Sequence, residues 1–237
     1  MKLSAPVYIL KQQAKALSRK KNVPLCQALD QIANQEGFSA WSLLAASINS
    51  DKPVSTLLAQ LRSGDLVLLG SRPGQGKTRL GIEVAVHAMR QGNRAAFFTL
   101  YCTRADVSDL FKAIGEELHD FLDRFIVDDS DEICADYIID RLSAVPASTL
   151  VLIDYLQLLD QNRKNPDLMH QVQQLRAFAR KRRLTILCLS QIDRSYDSAV
   201  RPCPGIKDVR LPNPLDLGLF DRTCFLNQGK MQIGSST

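Results

Sequence analysis

Short runs of apolar residues alternate with amphipathic segments along most of this chain. A strand that is apolar at every position is buried on both faces, and strands of this kind separated by helices are typical of a parallel sheet covered on both sides. The pattern therefore predicts an α/β fold with a mostly parallel central sheet flanked by helices. The predicted strands are Leu66–Leu69, Ala95–Leu100, Phe125–Val127, Leu150–Ile153, Ile186–Leu189 and Cys224–Leu226, and the helices between them are Leu80–Arg90, Val107–Phe121, Ala135–Val145 and Leu168–Arg182.

The first 50 residues show helical periodicity without a strand signal. Helices are predicted at Tyr8–Lys20, Leu25–Gln35 and Ala40–Ala46, and the pattern changes after Asp51-Lys52-Pro53. We therefore expect a small helical module over residues 1–50 and an α/β domain over residues 54–237. Phe38 and Trp41 are interpreted as core residues of the module. Its excess of basic residues indicates a solvated face or, alternatively, a surface that contacts nucleic acid or a protein partner.

Composition narrows the function classes only slightly. The formal net charge of +5 over 237 residues permits nucleic acid as a partner without requiring it. The six cysteines are scattered singly, which favours a reducing compartment over a disulfide scaffold or a zinc ribbon. The sequence shows no signal peptide and no apolar run of membrane-spanning length, so we expect a cytoplasmic protein that does not contact a membrane.

A glycine-rich turn follows the first predicted strand and leads into a helix. Glycines in such a turn allow successive backbone N–H groups to surround phosphate oxygens, while Lys77 reaches the outer phosphates and the Thr78 hydroxyl ligates Mg²⁺. The first glycine of the usual G-x-x-x-x-G-K-[ST] spacing is replaced by Ser71, one residue after Gly70. The turn predicts a site for a nucleoside triphosphate with magnesium, formed by Ser71, Arg72, Pro73, Gly74, Gln75, Gly76, Lys77, Thr78 and Arg79.

Two further strands end in polar residues that suit such a site. Asp154 follows the buried run Leu150–Ile153, and a carboxylate there is costly unless its charge is used. Holding Mg²⁺ together with Thr78 would use it, and capping of the next turn is the structural alternative. Gln191 follows Ile186–Leu189 and is placed to contact a γ-phosphate or an attacking water. Lys77, Asp154 and Gln191 are therefore the predicted catalytic residues.

Several strings in collinear order carry a family resemblance. They are Ser71-Arg72-Pro73-Gly74-Gln75-Gly76-Lys77-Thr78, Ala96-Phe97-Phe98-Thr99-Leu100, Phe125-Ile126-Val127-Asp128-Asp129, Val151-Leu152-Ile153-Asp154-Tyr155-Leu156-Gln157-Leu158 and Leu189-Ser190-Gln191-Ile192-Asp193-Arg194. With these strings, the part of the chain from about Val54 to Gln228 resembles the RecA-type motor domain of bacterial replicative helicases of the DnaB type.

The resemblance implies ATP as the nucleotide and subunits that assemble as a ring or filament. It also implies that single-stranded DNA is held by the loops after Asp154 and Gln191. Basic residues in and beside those loops are the candidate nucleic-acid contacts, and ordinary solvated loop charges are the alternative interpretation. These candidates are Arg163, Lys164, Arg194, Arg201, Lys207 and Arg210. The run Arg180-Lys181-Arg182-Arg183 is interpreted as a basic helix C-terminus that complements the helix dipole.

Two departures from the family pattern change the expected activity. The family places a glutamate that orients the attacking water directly after the second strand, where this chain has Tyr101. The family's C-terminal Lys-x-Arg finger has no counterpart after Cys224–Leu226, where Lys230 is the remaining cation. We therefore expect weak ATP hydrolysis and no complete hexameric motor. The alternatives are a nucleotide-dependent adaptor that recruits a protein partner and, third, a small-molecule kinase.

Overall fold

A computed structural model describes residues 4–5, 7–162, 164–198, 201–211 and 213–235, with side chains outside the description at residues 7–8, 46–53, 158 and 160. The chain divides into two compact units, Met1–Lys52 and Pro53–Thr237. The helices are α1 (Val7–Lys21), α2 (Leu25–Gln35), α3 (Trp41–Leu58), α4 (Lys77–Arg90), α5 (Arg104–Ala113), α6 (Ala135–Arg141) and α7 (Leu168–Arg182). The strands are β1 (Leu66–Ser71), β2 (Ala95–Thr99), β3 (Phe125–Asp128), β4 (Leu150–Asp154), β5 (Thr185–Gln191), β6 (Arg222–Asn227) and β7 (Lys230–Ser235).

The first unit is built around a small apolar core. Its buried residues are Leu10, Ala14, Ala28, Ile32, Ala33 and Leu44. Phe38 and Trp41 pack against this core, which confirms their interpretation as core residues. Asp30 accepts a hydrogen bond from the Trp41 amide at 2.8 Å, so the start of α3 is tied to α2.

The second unit contains one seven-stranded sheet in the order β3-β2-β4-β5-β1-β6-β7. The first six strands of that order are parallel, and β7 is antiparallel to β6. Alternate residues of β1 enter different cores: Leu66 and Leu68 pack with α6 and α7, whereas Val67 and Leu69 pack with α4 and α5. Both faces of the sheet are therefore covered, as the apolar strand pattern predicts.

Besides shifts at element ends, such as α6 ending at Arg141 instead of the predicted Val145, the structure differs from the sequence-based prediction in three elements. Helix α3 extends to Leu58, past the Ala46 end that the pattern predicts. The segment predicted as one helix over Val107–Phe121 is α5 followed by a short 3₁₀ turn at Leu118–Phe121. Gly115, at φ 79°, separates the two because it adopts a left-handed conformation that a helix cannot continue through.

Strand β7 is the third difference, since the sequence analysis did not predict it. It follows β6 through a tight turn at Gln228 and Gly229, whose φ values are 49° and 75°. Two positive φ values in succession are typical of a hairpin turn that matches the twist of the strands. The Gln-Gly pair was the available signal in the sequence.

Candidate nucleotide site

The glycine-rich turn joins β1 to α4 at the carboxyl edge of the sheet. Gly74 and Gly76 have φ values of 76° and 83°, and a side chain added at either would meet nothing within 4 Å. These glycines are therefore required by the backbone conformation, and they leave open space at the start of α4. Helix α4 begins at Lys77, so its positive dipole end faces that space. Such a turn can hold the phosphates of a nucleotide.

Gly70 has a different role, because it permits close packing behind the turn. A side chain at this position would approach the Phe225 ring to 2.8 Å and the Ile192 side chain to 3.1 Å. Ser71, at the position of the usual first glycine, is fully buried, and its hydroxyl donates to the Arg72 carbonyl at 3.0 Å. The turn therefore keeps its glycine-dependent packing one residue earlier than the usual spacing.

Thr78 and Asp154 meet at the centre of the site. The Thr78 hydroxyl donates to Asp154 Oδ2 at 2.7 Å, which joins the start of α4 to the end of β4. Burial raises the pKa of Asp154, and the hydrogen bond from Thr78 and the nearby charge of Lys77 offset this only in part. A buried carboxylate whose charge is incompletely compensated is suited to a cation.

The donor set fits magnesium in a site completed by phosphate and water. Hydroxyl and carboxylate oxygens are the ligands that Mg²⁺ prefers, and Mg²⁺ is usually held by one or two protein groups plus phosphates. Within the described residues, no group of three or more His, Cys, Asp or Glu side chains could hold a metal on its own. The contact between Thr78 and Asp154 is therefore the part of the protein that would hold the cation when a nucleotide is bound.

Gln191 lies between Asp154 and the glycine-rich turn, because β5 lies between β4 and β1 in the sheet. It is the last residue of β5 and is paired in register with Ser71 of β1, so it lies beside the start of the turn. The Arg210 amide donates to the Gln191 carbonyl at 2.9 Å, and the bridge between Ile192 and Val209 continues this contact. The loop after β5 thus returns to the strand end that carries Gln191.

Gln157 is a residue of this region that the sequence analysis did not select. It is buried, and its Nε2 donates to the Ser190 hydroxyl at 3.1 Å and to the Arg210 carbonyl. Its Oε1 is buried without a hydrogen-bond partner. Gln157 therefore connects the segment after β4 to both ends of the loop after β5. Its signals in the sequence were its place three residues after Asp154 and its membership of a string that carries the family resemblance.

Tyr101 occupies the end of β2, two residues beyond the strand. Its ring stacks on Tyr155 with centroids 5.1 Å apart, and the two hydroxyls are 3.0 Å apart. Gln161 Nε2 donates to the Tyr101 hydroxyl at 3.2 Å. Burial and the bond with Tyr101 raise the pKa of Tyr155 to about 12, so its phenol stays protonated at neutral pH. This pair is a hydrogen-bond network next to Asp154, and neither ring supplies a carboxylate.

Two acids that could replace the family's glutamate, Asp106 and Glu83, are engaged in local structure. Asp106 closes a capping box with Thr103 at the start of α5, and its pKa is lowered by those hydrogen bonds. Glu83 accepts from Arg79 Nε at 2.8 Å within α4. Arg79, a predicted nucleotide contact, is therefore held in an ion pair along its own helix.

Gln75 is a further predicted contact with a structural partner. Its Oε1 accepts a hydrogen bond from the Gln228 amide at 2.7 Å. The turn between β6 and β7 is thereby fixed to the glycine-rich turn. The side chains of Arg72 and Pro73 lie in the same turn, partly or fully exposed.

The candidate nucleic-acid residues are placed less uniformly. Arg201 pairs with Asp208 at 2.7 Å and lies over the Tyr196 ring, so it holds the loop after β5 together. Arg210 Nη1 lies 3.5 Å from Gln191 Oε1, at the strand end. The remaining described candidates, Lys164, Arg194 and Lys207, are exposed on the two loops, and Arg163 lies outside the described residues.

The sheet, the glycine-rich turn and the Thr78–Asp154 contact define a P-loop protein of the RecA-like class. Residues 103–213 match the model of the DnaB-like helicase C terminal domain. This match confirms the resemblance that the sequence motifs indicate. No helix of the described residues is long and apolar enough to cross a membrane.

Curated relatives and solved structures agree with this class. A probable plasmid replicative DNA helicase of Chlamydia muridarum is 26% identical, over 74% of this chain and 48% of the relative. Replicative DNA helicase DnaB of Helicobacter pylori is 24% identical, over 62% of this chain and 37% of the relative. The chain thus spans half or less of the length of these relatives.

Two solved structures show the same fold at low identity. A DnaB-like replicative helicase, solved in a study of its interactions with primase, gives a TM-score of 0.57 at 16% identity, covering 97% of this chain and 72% of that one. A KaiC-like protein from Pyrococcus horikoshii gives a TM-score of 0.53 at 17% identity, covering 68% of this chain and 70% of that one.

Proposed function

We propose that this chain binds ATP with Mg²⁺ at the carboxyl edge of its sheet and couples nucleotide occupancy to the binding of single-stranded DNA. The observation that carries the nucleotide part is the 2.7 Å contact between Thr78 and Asp154, beside Lys77 at the start of α4. Lys77 would hold the outer phosphates, and Thr78 and Asp154 would hold the cation. The bound cation would neutralise phosphate charge in the site.

The coupling is proposed to run through Gln191 and the loop that follows it. Gln191 would contact the γ-phosphate. Because the Arg210 amide is hydrogen-bonded to the Gln191 carbonyl, a movement of Gln191 would shift the loop that carries Lys207. Gln157 joins the same loop to the segment after Asp154. These hydrogen bonds support a path from the nucleotide to basic residues that would contact DNA phosphates.

Tyr101 supports slow turnover. A phenol is a poor acceptor for the proton of an attacking water at neutral pH. Asp106 and Glu83, the two acids considered as substitutes, are committed to a helix cap and an ion pair. Bound ATP would then persist and keep the protein in its ATP-bound state. This favours, as second candidate, an adaptor that recruits a protein partner through its helical module or assembles with further copies of itself.

One experiment separates these candidates. A labelled single-stranded oligonucleotide is titrated with the protein, with and without ATP·Mg²⁺, and ATP turnover is measured with and without the DNA. We expect DNA affinity to change with ATP and turnover to remain low. If the protein bound ATP but no DNA under any condition, the adaptor would be favoured. If it bound no ATP, the proposed nucleotide site would be wrong.

A further inference from the structure

A second charged region lies at the amino edge of the sheet, where β1, β4 and β5 begin. A depression of ≈ 700 Å³ opens there, and its polar lining includes Ser63, Asp65, Ser148, Arg180, Arg183 and Asp221. It lies at the edge away from the glycine-rich turn, because that turn follows the carboxyl end of β1. The proposed nucleotide site therefore does not account for these side chains.

The acids of this depression are already compensated by arginines. Asp221 Oδ1 accepts from Arg176 and Arg180 at 3.0 and 2.8 Å, and its Oδ2 accepts from the Leu66 amide at 2.9 Å. Asp65 accepts from Arg222 Nε at 3.0 Å. Arg176 and Arg222 reach these acids from outside the lining, so the charges of Arg180 and Arg183 in the lining are not both needed to neutralise Asp65 and Asp221.

Arg183 is held in place by its own backbone. Its carbonyl accepts from the Ser63 hydroxyl at 2.8 Å and from the Ser148 amide at 2.9 Å, at a left-handed φ of 57°. The neighbouring members of the basic run differ from it, because Arg182 donates to the Val145 carbonyl at 3.0 Å and Lys181 is exposed outside the depression. The run that the sequence analysis assigned to a helix dipole thus places two arginines in one concave surface.

We propose that this depression binds the phosphate groups of a nucleic-acid strand, as a second contact beside the loop after β5. Guanidinium groups match phosphate oxygens with paired hydrogen bonds, and the Ser148 hydroxyl can add a single one. Duplex DNA carries one charge per strand about every 3.4 Å along its axis, and a single strand spaces its phosphates more widely, so neighbouring phosphates suit two arginines that are three residues apart at the end of one helix. Resemblance to a DNA helicase domain favours nucleic acid over an acidic protein segment.

The position of the depression also sets a length requirement. Strand β1 has six residues, so the two edges of the sheet are about 20 Å apart at the usual rise per residue. A nucleic-acid strand that contacts both edges must cover at least this distance, so a long strand should gain more from the second contact than a short one. This inference rests on the DNA binding proposed above, but it concerns a different surface.

The test measures binding of fluorescein-labelled oligothymidylates of 4 and 20 nucleotides by anisotropy over a range of salt concentrations. The double variant Arg180→Gln, Arg183→Asn, which removes two charges, and Arg183→Asn alone, which removes one, are compared with Lys181→Gln, a loss of one charge in the same run. For the 20-mer, we expect the double variant to lower the slope of log affinity against log salt by about one to two, while Lys181→Gln leaves it near wild type. For the 4-mer, the slopes of the variants should differ less from one another.

The controls separate this site from the proposed nucleotide site. ATP affinity and thermal midpoint are measured on the same samples, and Arg183→Asn alone serves if the double variant is unstable, because it leaves both partners of Asp221 intact. Equal slopes for the double variant and Lys181→Gln would overturn the inference. So would a wild-type protein that binds ATP and no DNA, whereas loss of ATP binding alone would count against the nucleotide site only.

Discussion

Asp154 and Asp221 are both largely buried acids next to β-strands, yet they lie in opposite electrostatic environments. At the carboxyl edge, burial raises the pKa of Asp154 because Thr78 and Lys77 compensate its charge incompletely. At the amino edge, burial also acts on Asp221, but the Leu66 amide and two arginines outweigh it and lower the pKa. The charge of Asp154 is thus incompletely compensated, whereas Asp221 lies among arginines that outnumber the local carboxylates.

The difference indicates which ligands the two edges suit. A buried carboxylate with too few partners favours a cation, and here it stands beside a turn that accommodates phosphates. Arginines that outnumber their carboxylates favour an anion. The sheet would thus bind a nucleotide with its cation at the carboxyl edge and the phosphates of a nucleic-acid strand at the amino edge. The four predictions below address this contrast.

The largest expected effect concerns Tyr101. Tyr101→Glu would place a carboxylate where the resemblance places the family's glutamate, and a positioned base typically accelerates a reaction on the order of a hundredfold or more. We expect ATP turnover to rise, with Tyr101→Phe as a control that keeps the ring stacked on Tyr155 and removes only the hydroxyl. A phosphate-release assay with saturating ATP·Mg²⁺ measures both.

The contrary outcome for Tyr101 is also defined. Brisk DNA-stimulated turnover in the wild type, abolished by Asp106→Asn or Glu83→Gln, would show that a relocated acid activates water. The carboxyl edge would then be an active motor site despite the hydrogen bonds that engage these two residues.

Lys77→Ala should weaken ATP binding by about 10- to 100-fold, because a hydrogen bond to a charged group contributes roughly 1.5–3 kcal/mol. Lys112→Ala, at an exposed ion pair with Asp109 on α5, is the matched control. A fluorescent ATP analogue measures the affinity. If Lys77→Ala retained full affinity while Arg183→Asn lost it, the assignment of the two edges would be reversed.

The carboxyl edge was largely predictable from the sequence, whereas the amino edge was not. Lys77, Thr78 and Asp154 stand in a fixed spacing relative to apolar strands, and parallel strands bring their carboxyl ends together. The arginines of the amino edge come from α7, from the turn before β5 and from β6. The ion pairs that those of α7 and β6 form with Asp65 and Asp221 therefore depend on tertiary packing. A local charge run carries no information about such partners.

Other features could not be predicted from the sequence for related reasons. Arg201 is interpreted from the sequence as a loop cation that contacts nucleic acid, and only the fold shows that it pairs with Asp208. Helix periodicity continued through Gly115, where the left-handed backbone ends the helix. The hairpin of β6 and β7 had a turn signal in Gln228 and Gly229, but β7 alternates partly exposed positions and lacks the apolar run that identified the other strands.

The two acids should respond to neutralisation with opposite signs. Because its folded pKa is raised, Asp154 lowers the free energy of unfolding as the pH rises through that pKa, so Asp154→Asn should stabilise the ligand-free protein by about 1 kcal/mol. Because its folded pKa is lowered, Asp221 contributes stability that is lost as the pH falls through that pKa. Asp221→Asn should therefore destabilise the protein by roughly 1–3 kcal/mol at neutral pH.

Thermal unfolding in magnesium-free buffer tests both signs, since 1 kcal/mol shifts the midpoint by about 2–4 °C in a chain of this size. Added ATP·Mg²⁺ should raise the midpoint of the wild type and raise that of Asp154→Asn less. If Asp154→Asn and Asp221→Asn changed the thermal midpoint in the same direction, the proposed electrostatic difference between the two acids would be wrong.

The smallest expected effect separates two cations of the loop after β5. Lys207 is exposed, whereas Arg201 is paired with Asp208, whose side chain is only 10% exposed, and lies 5.4 Å from the centre of the Tyr196 ring. Lys207→Gln should therefore lower the salt dependence of DNA binding by about one phosphate contact at unchanged stability. Arg201→Gln should instead lower the thermal midpoint, because it leaves the Asp208 carboxylate without its guanidinium, and should change the salt slope little. Equal losses of slope in the two variants would mean that Arg201 leaves Asp208 to contact DNA, and the loop would then rearrange on binding.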